Sequence, residues 1–282
     1  MSLLLGVHYD LISSLRAINR DTFKLLAKRN VSLFWTAING NFLLAITAGI
    51  ITGLLALRQI FNFYVGQYPI FISSFFFSLV IIAALLLLRK IRRWNGGVVI
   101  ALITGLTVSY LLTISAPFST PDYVFLSFLS GFLAGITFVT PGVSGAFILM
   151  FIGKYQYILT SFDSLEIDVI ILFIAGGILG ITVIARFIAK LLSNYYNATM
   201  ALFAGLMIGS LNKIWPWRQV YEYATTIQGK RIPAFDKSIL PWRYLEITGK
   251  DPQVFYAILM MALGVFMVVL IEKIVARLKT KS

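Results

Sequence analysis

Long apolar runs recur from one end of the chain to the other, and no single water-soluble core could absorb them. A helix needs about 20 mostly apolar residues to cross hydrocarbon. The runs Leu33–Leu57, Pro69–Leu88, Gly97–Ala116, Val169–Leu192, Ala198–Leu211 and Val254–Glu272 are each predicted to be a span. Asn39 and Asn41 stand near the start of the first, and Pro69 opens the second at a tolerated helix entrance. Val169–Leu192 carries Arg186 late in the run. Ala198–Leu211 is short, and Ser193–Asn197 would lengthen it. Composition agrees: 59% of residues are hydrophobic and 12% charged, where soluble domains carry about a quarter charged. The predicted class is an all-α polytopic membrane protein with about six transmembrane helices.

The net charge of +13 sits at the ends of apolar runs, not in patches interleaved with aromatics. That pattern fits anionic headgroups and the positive-inside rule and argues against nucleic acid. With the N-terminus inside, 15 of the 24 lysines and arginines fall on the inner side, among them Arg89, Lys90, Arg92, Arg93 and the basic tail. The tail is then cytoplasmic. This holds only if Tyr123–Phe162 enters and leaves on one side. The chain has no cysteine and a lone histidine, His8, so no disulfide, metal or cofactor is predicted. The N-terminal apolar stretch is short and interrupted, so no cleavable signal peptide is predicted. The polar segment Asn212–Gln253 holds Trp215, Trp217 and Trp242, and reads as a loop at the membrane interface.

Tyr123–Phe162 is the most informative segment. Its two apolar halves flank TPGVSG. Pro141 breaks the helical ladder, and Gly142 and Gly145 permit backbone angles that other residues resist. Together the halves predict a re-entrant helix hairpin over 123–162 with its tip near mid-membrane. Bare backbone groups survive there only inside protein or against a watery cavity, and the second half-helix would turn its positive end to an anion. The alternative is an ordinary helix kinked at proline. An internal repeat favours the hairpin. IGKYQYILTSF at 152–162 resembles LGVHYDLISSL at 5–15, matching Gly153 with Gly6. AGGILG at 175–180 resembles AGIITG at 48–53, after which Tyr195 matches Tyr68 and Phe203 matches Phe76. An odd number of spans between the copies predicts inverted-topology repeats, the first over 1–116 and the second over 117–282.

TPGVSGAFILMFIGKY, with the AGG…G helix and ALFAGLMIGSL that follow, resembles the second repeat of the PopT polyprenyl-phosphate transporter family. Members carry two such tips. Aligning Gly6 with Gly153 puts the first just upstream of Met1, so either the start lies further upstream or half the site is lost. His8 also stands where the family favours tyrosine. The resemblance implies a non-enzyme of the bacterial cytoplasmic membrane that flips undecaprenyl phosphate for reuse as a carrier lipid. Its partners would be that lipid phosphate and the membrane lipids around it.

A lipid phosphate needs donors and a cation. The tip residues Thr140, Pro141, Gly142, Val143, Ser144 and Gly145 are the candidate binding site, through backbone amides and the Thr140 and Ser144 hydroxyls. Arg186, and Arg58 near the matching place in the first repeat, are the candidate cations, with interfacial snorkelling the alternative for both. Lys154 reads as a flank charge. No acidic residue lies within a span, which disfavours a carboxylate proton relay. A small-anion transporter or channel using the same tip is the competing function, and a structural subunit a third. Ser144 has no evident base, so hydrolysis is disfavoured.

Overall fold

The computed structural model describes residues 30–49, 68–115, 120–225 and 231–279, with isolated positions between 13 and 52. Gly6, His8, Asp10, Arg58 and residues 226–230 lie outside the described residues.

Local chemistry sets the helix boundaries. Helices α1 (Val31–Ala37) and α2 (Gly40–Gly49) meet at a bend of 69°. Asn39 makes the break, with a left-handed φ of 53° that asparagine tolerates better than most residues. Trp35 Nε1 donates across the bend to Asn41 Oδ1 at 2.8 Å. The run predicted as one span from Leu33 is therefore bent within its first two turns. Helix α3 (Pro69–Arg89) starts on its proline, and α4 (Gly96–Ile114) is capped by Asn95, whose Oδ1 accepts from Val98 N at 2.9 Å. That bond satisfies one of the amides a helix start leaves orphaned.

The predicted 123–162 hairpin segment folds as α5 (Val124–Val139), α6 (Gly145–Phe151) and α7 (Tyr155–Asp163). Helices α8 (Ile167–Asn194) and α9 (Tyr196–Ile214) follow, joined through Tyr195. Beyond them the sequence reading needs correction. Asn212–Gln253 is not a plain loop: it holds an antiparallel ribbon of β1 (Arg218–Thr225) and β2 (Arg231–Ser238), then α10 (Pro241–Thr248). The described fold is helical with this two-stranded exception. Valine, tyrosine and threonine in VYEYAT are residue types that favour strands. Helix α11 (Val254–Lys279) ends the chain.

Helices α3, α4, α8 and the Val254–Ile274 part of α11 are long and apolar enough to cross a bilayer, and α1 with α2 could make one more, bent, span. The protein is a multi-pass membrane protein. Helix α9 lies at its centre: Met200, Ala201, Phe203 and Ala204 are at most 1% exposed.

Small residues let the helices touch. On α4 and α9, a Cβ at Gly105 would strike the Leu202 carbonyl, and one at Gly205 would strike that of Leu102. On α5 and α8, Gly131 and Gly135 face Phe173 and Gly177, while Gly176 and Gly180 face Phe128 and Phe132. Helices α5 and α8 therefore run parallel. With no water to expel between helices in lipid, this close approach is the main source of association.

Two features recur between the halves. Tyr68 before α3 and Tyr195 before α9 share a backbone conformation, φ −129° and ψ 56° against φ −135° and ψ 49°. The register that pairs them also pairs Phe75 with Leu202 and Ser78 with Gly205. Gly105 of α4 packs on Leu202 of α9, and Gly264 of α11 packs on Phe75 and Ser78 of α3.

Candidate functional site

Pro141 and the residues after it turn the chain back along α5. Thr140 ends the helix, its hydroxyl spent on the Ile136 carbonyl at 2.7 Å. Gly142 follows with φ 91°, and a Cβ there would press within 2.7 Å of the Met207 amide nitrogen. Both facts demand glycine, and the second fixes the tip against the middle of α9. Residues 142–144 then run down to Gly145, where a Cβ would lie 3.1 Å from Thr137 Oγ1. So α6 begins beside the last turns of α5 and returns along it.

The two ends of this segment meet. Thr120 Oγ1 donates to the Ile152 carbonyl at 2.7 Å. Lys154, only 1% exposed, donates to the Thr120 carbonyl at 3.1 Å, to the Pro121 carbonyl, and to Asp122 Oδ1 at 2.6 Å. Its ammonium also lies 5.1 Å from the Tyr157 ring centre. Lys154 is therefore not a flank charge. It is buried and staples the entrance of the segment to its exit.

Between the returning leg and the C-terminal halves of α4 and α9 lies a cleft of about 90 Å³. Pockets that enclose drug-sized ligands start at about 300 Å³, so this one has room for a small group only. Ser109 and Thr113 line it from α4, Gly142, Val143, Ser144 and Phe147 from the returning leg, and Ser210 and Lys213 from α9. The Ser210 hydroxyl donates to the Met207 carbonyl at 2.8 Å. Thr113 donates to the Tyr110 carbonyl at 2.7 Å and accepts from Asn212 Nδ2 at 2.8 Å. The Ser210 and Thr113 hydroxyl protons are thereby spent within their own helices, while the Ser144 hydroxyl makes no capping bond. Helix α6 has only seven residues, so its dipole is short. What it offers an anion is the amides of Gly145, Ala146 and Phe147, which have no partner earlier in the helix.

The cleft's cation is Lys213, which the sequence reading counted only as a loop charge. Its ammonium lies 5.6 Å from the Phe147 ring centre and is 30% exposed. It donates to Asp236 Oδ1 at 2.6 Å. Asp236, on β2, also accepts from Arg218 Nε at 2.5 Å and Nη2 at 3.0 Å. Burial pushes the Asp236 carboxyl up. The hydrogen bonds and charges of Arg218 and Lys213 outweigh that and hold it below the usual carboxylate range. Arg218 is anchored further, to the Asn212 carbonyl and to Ser238 Oγ at 3.0 Å. One polar network thus joins the β1–β2 ribbon to the wall of the cleft. The signal in sequence was the spacing of Ser210 and Lys213, three apart on one helical face, just before the Trp-Pro-Trp break.

Of the residues singled out from sequence, Gly142, Val143 and Ser144 line the cleft. Thr140, Pro141 and Gly145 shape it without lining it. Arg186 is exposed on α8, next to the buried Ala185, and does not line the cleft. Trp217 is 4% exposed, packed with Ile70 and Ala257 and donating to the Pro252 carbonyl at 2.8 Å, so it is not an interfacial side chain. Trp242 is 62% exposed.

Residues 1–232 match the family described as undecaprenyl phosphate translocase-like. The chain belongs to that family. Among curated relatives of this translocase-like protein, a polyprenyl-phosphate transporter of Vibrio cholerae is 29% identical over 95% of the chain and 87% of its own length. A polyprenyl-phosphate transporter of Staphylococcus aureus is 25% identical over 65% of the chain and 70% of its own length. No solved structure matches the chain.

Proposed function

We propose that this protein carries undecaprenyl phosphate, or a close polyprenyl monophosphate, across the bacterial cytoplasmic membrane for reuse as a carrier lipid. The observation that carries the reading is the family match over residues 1–232, together with a headgroup-sized cleft that holds one lysine and several hydroxyls. A bare phosphate in hydrocarbon costs many kcal/mol, several even after relaxation. Lys213, the Ser144 hydroxyl and the first amides of α6 take the place of its water, while the chain stays in lipid. Both relatives favour this cargo over the small-anion alternative.

The same geometry supports a membrane path. Stapling of 120–122 to 152–154 supports a re-entrant hairpin that enters and leaves on one face, with α1–α2, α3, α4, α8, α9 and α11 as the six spans. The matched tyrosines before α3 and α9, with Gly105 of α4 packed on α9 and Gly264 of α11 packed on α3, support two inverted repeats, 1–116 and 117–282. Inverted repeats allow one site to be opened to either side in turn. In this reading the ribbon lies outside the cell, the tail inside, and the cleft faces outward. Arg186, towards the inner end of α8, is then a station for the phosphate after it leaves the cleft.

Purified protein in vesicles should move a fluorescent polyprenyl phosphate from one leaflet to the other. Vesicles that instead leak or exchange small anions, with the lipid left in place, would give the function to the small-anion alternative.

A further inference from the structure

The cleft's only lining cation among the described residues is already engaged. Lys213 reaches out of the cleft to Asp236 at 2.6 Å, and Asp236 is held independently by two guanidinium bonds from Arg218. The Lys213 bond is thus the one Asp236 can lose and remain paired. Arg218 is itself fixed by the Asn212 carbonyl and Ser238, so it keeps its place whichever way Asp236 turns. An anion arriving beside Lys213 would face the Asp236 carboxylate at close range, and like charges at such range repel strongly.

Resting on the reading that the cleft takes a lipid phosphate, we propose that Asp236 is a stand-in anion. It occupies Lys213 while the cleft is empty and is displaced by the incoming phosphate, turning away on its Arg218 partner. The exchange has two consequences. Lys213 is never left unpaired in a partly dried site, which would be costly. A phosphate monoester, carrying about −1.5 to −2 at neutral pH, displaces Asp236 where a monovalent anion does not. The ribbon thereby screens the cargo by charge. Its low carboxyl pKa, set by the two cations, keeps Asp236 charged and able to compete at any physiological pH.

The test is binding of farnesyl phosphate to purified protein in neutral detergent. Asp236→Asn should bind the probe about threefold to tenfold more tightly, the order expected for relieving one partly screened charge pair. In the double variant with Lys213→Gln that gain should vanish. Unchanged or weaker binding by a folded Asp236→Asn would overturn the stand-in role and mark Asp236 as a positioning residue for Lys213. If Asp236→Asn does not purify as a folded protein, the ribbon itself reports. The native chain has no cysteine, so a single Lys237→Cys at an exposed ribbon position takes one environment-sensitive fluorophore. Its signal should change when farnesyl phosphate is added, and should not change in the Lys213→Gln background. A signal indifferent to bound probe overturns the proposal. Failure of the parent protein to bind farnesyl phosphate at all would remove the lipid reading as well, whereas binding without the Asp236 effects removes only the stand-in anion.

Discussion

Two lysines mark the two ends of the returning leg, and they make the same bond. Lys154 reaches Asp122 at 2.6 Å and Lys213 reaches Asp236 at 2.6 Å. Their surroundings differ. Lys154 is 1% exposed, its two remaining donors go to backbone carbonyls, and a tyrosine ring lies alongside. Its partner Asp122 is 60% exposed. Lys213 is 30% exposed, faces an open cleft, and shares its partly buried aspartate with an arginine. An ammonium has three donors. Where all are taken by the protein the lysine fastens the chain; where some point into space, it can be offered to a ligand. Salt-bridge distance alone does not separate the two cases, but donor accounting does.

Substitutions can break this contrast. The largest effect should come from Lys154→Met. It orphans the Thr120 carbonyl, at about 1–3 kcal/mol, leaves the Pro121 carbonyl with the Tyr123 amide alone, undoes the tie to Asp122, and should lower the melting temperature in a thermal scan. Retained stability would mean that the root is not stapled. Gly142→Ala comes next. Left-handed strain alone costs about 1–2 kcal/mol, and the new methyl meets the Met207 backbone. Translocation in vesicles should fall while secondary structure by circular dichroism is kept, because the tip shifts without the bundle. Phe147→Leu is milder. Removing a cation–π contact of about 0.5–1 kcal/mol should weaken farnesyl phosphate binding a few-fold and leave the melting temperature near that of the parent. Smallest should be Arg186→Gln at the cleft: binding changes by no more than about 0.5 kcal/mol, with transport slowed at a later step and less so by Arg186→Lys. Loss of binding in Arg186→Gln would move the phosphate site onto α8.

The sequence made the bundle legible because lipid imposes length and polarity rules on every span, and because Pro141 and Gly142 interrupt an apolar run that could not otherwise be one helix. Three things were not legible. The break at Asn39 depends on a single left-handed residue inside an apolar stretch. The ribbon at 218–238 was masked by its polarity, which matches a loop as well as a half-exposed strand. The role of Lys213 depends on Asp236, a residue 23 positions away that only the ribbon's fold brings to it. Charge at the end of an apolar run normally means headgroups, so Lys154 and Lys213 looked alike, and Arg186 stood out for lying deeper in its run.

The most direct measurement is photo-crosslinking with a polyprenyl phosphate that carries a diazirine next to the phosphate, followed by peptide mapping. The account predicts labelling confined to 109–113, 142–147 and 210–214, lost in Lys213→Gln. Labelling centred on Arg186, or labelling of the cleft that persists unchanged in Lys213→Gln, would contradict it.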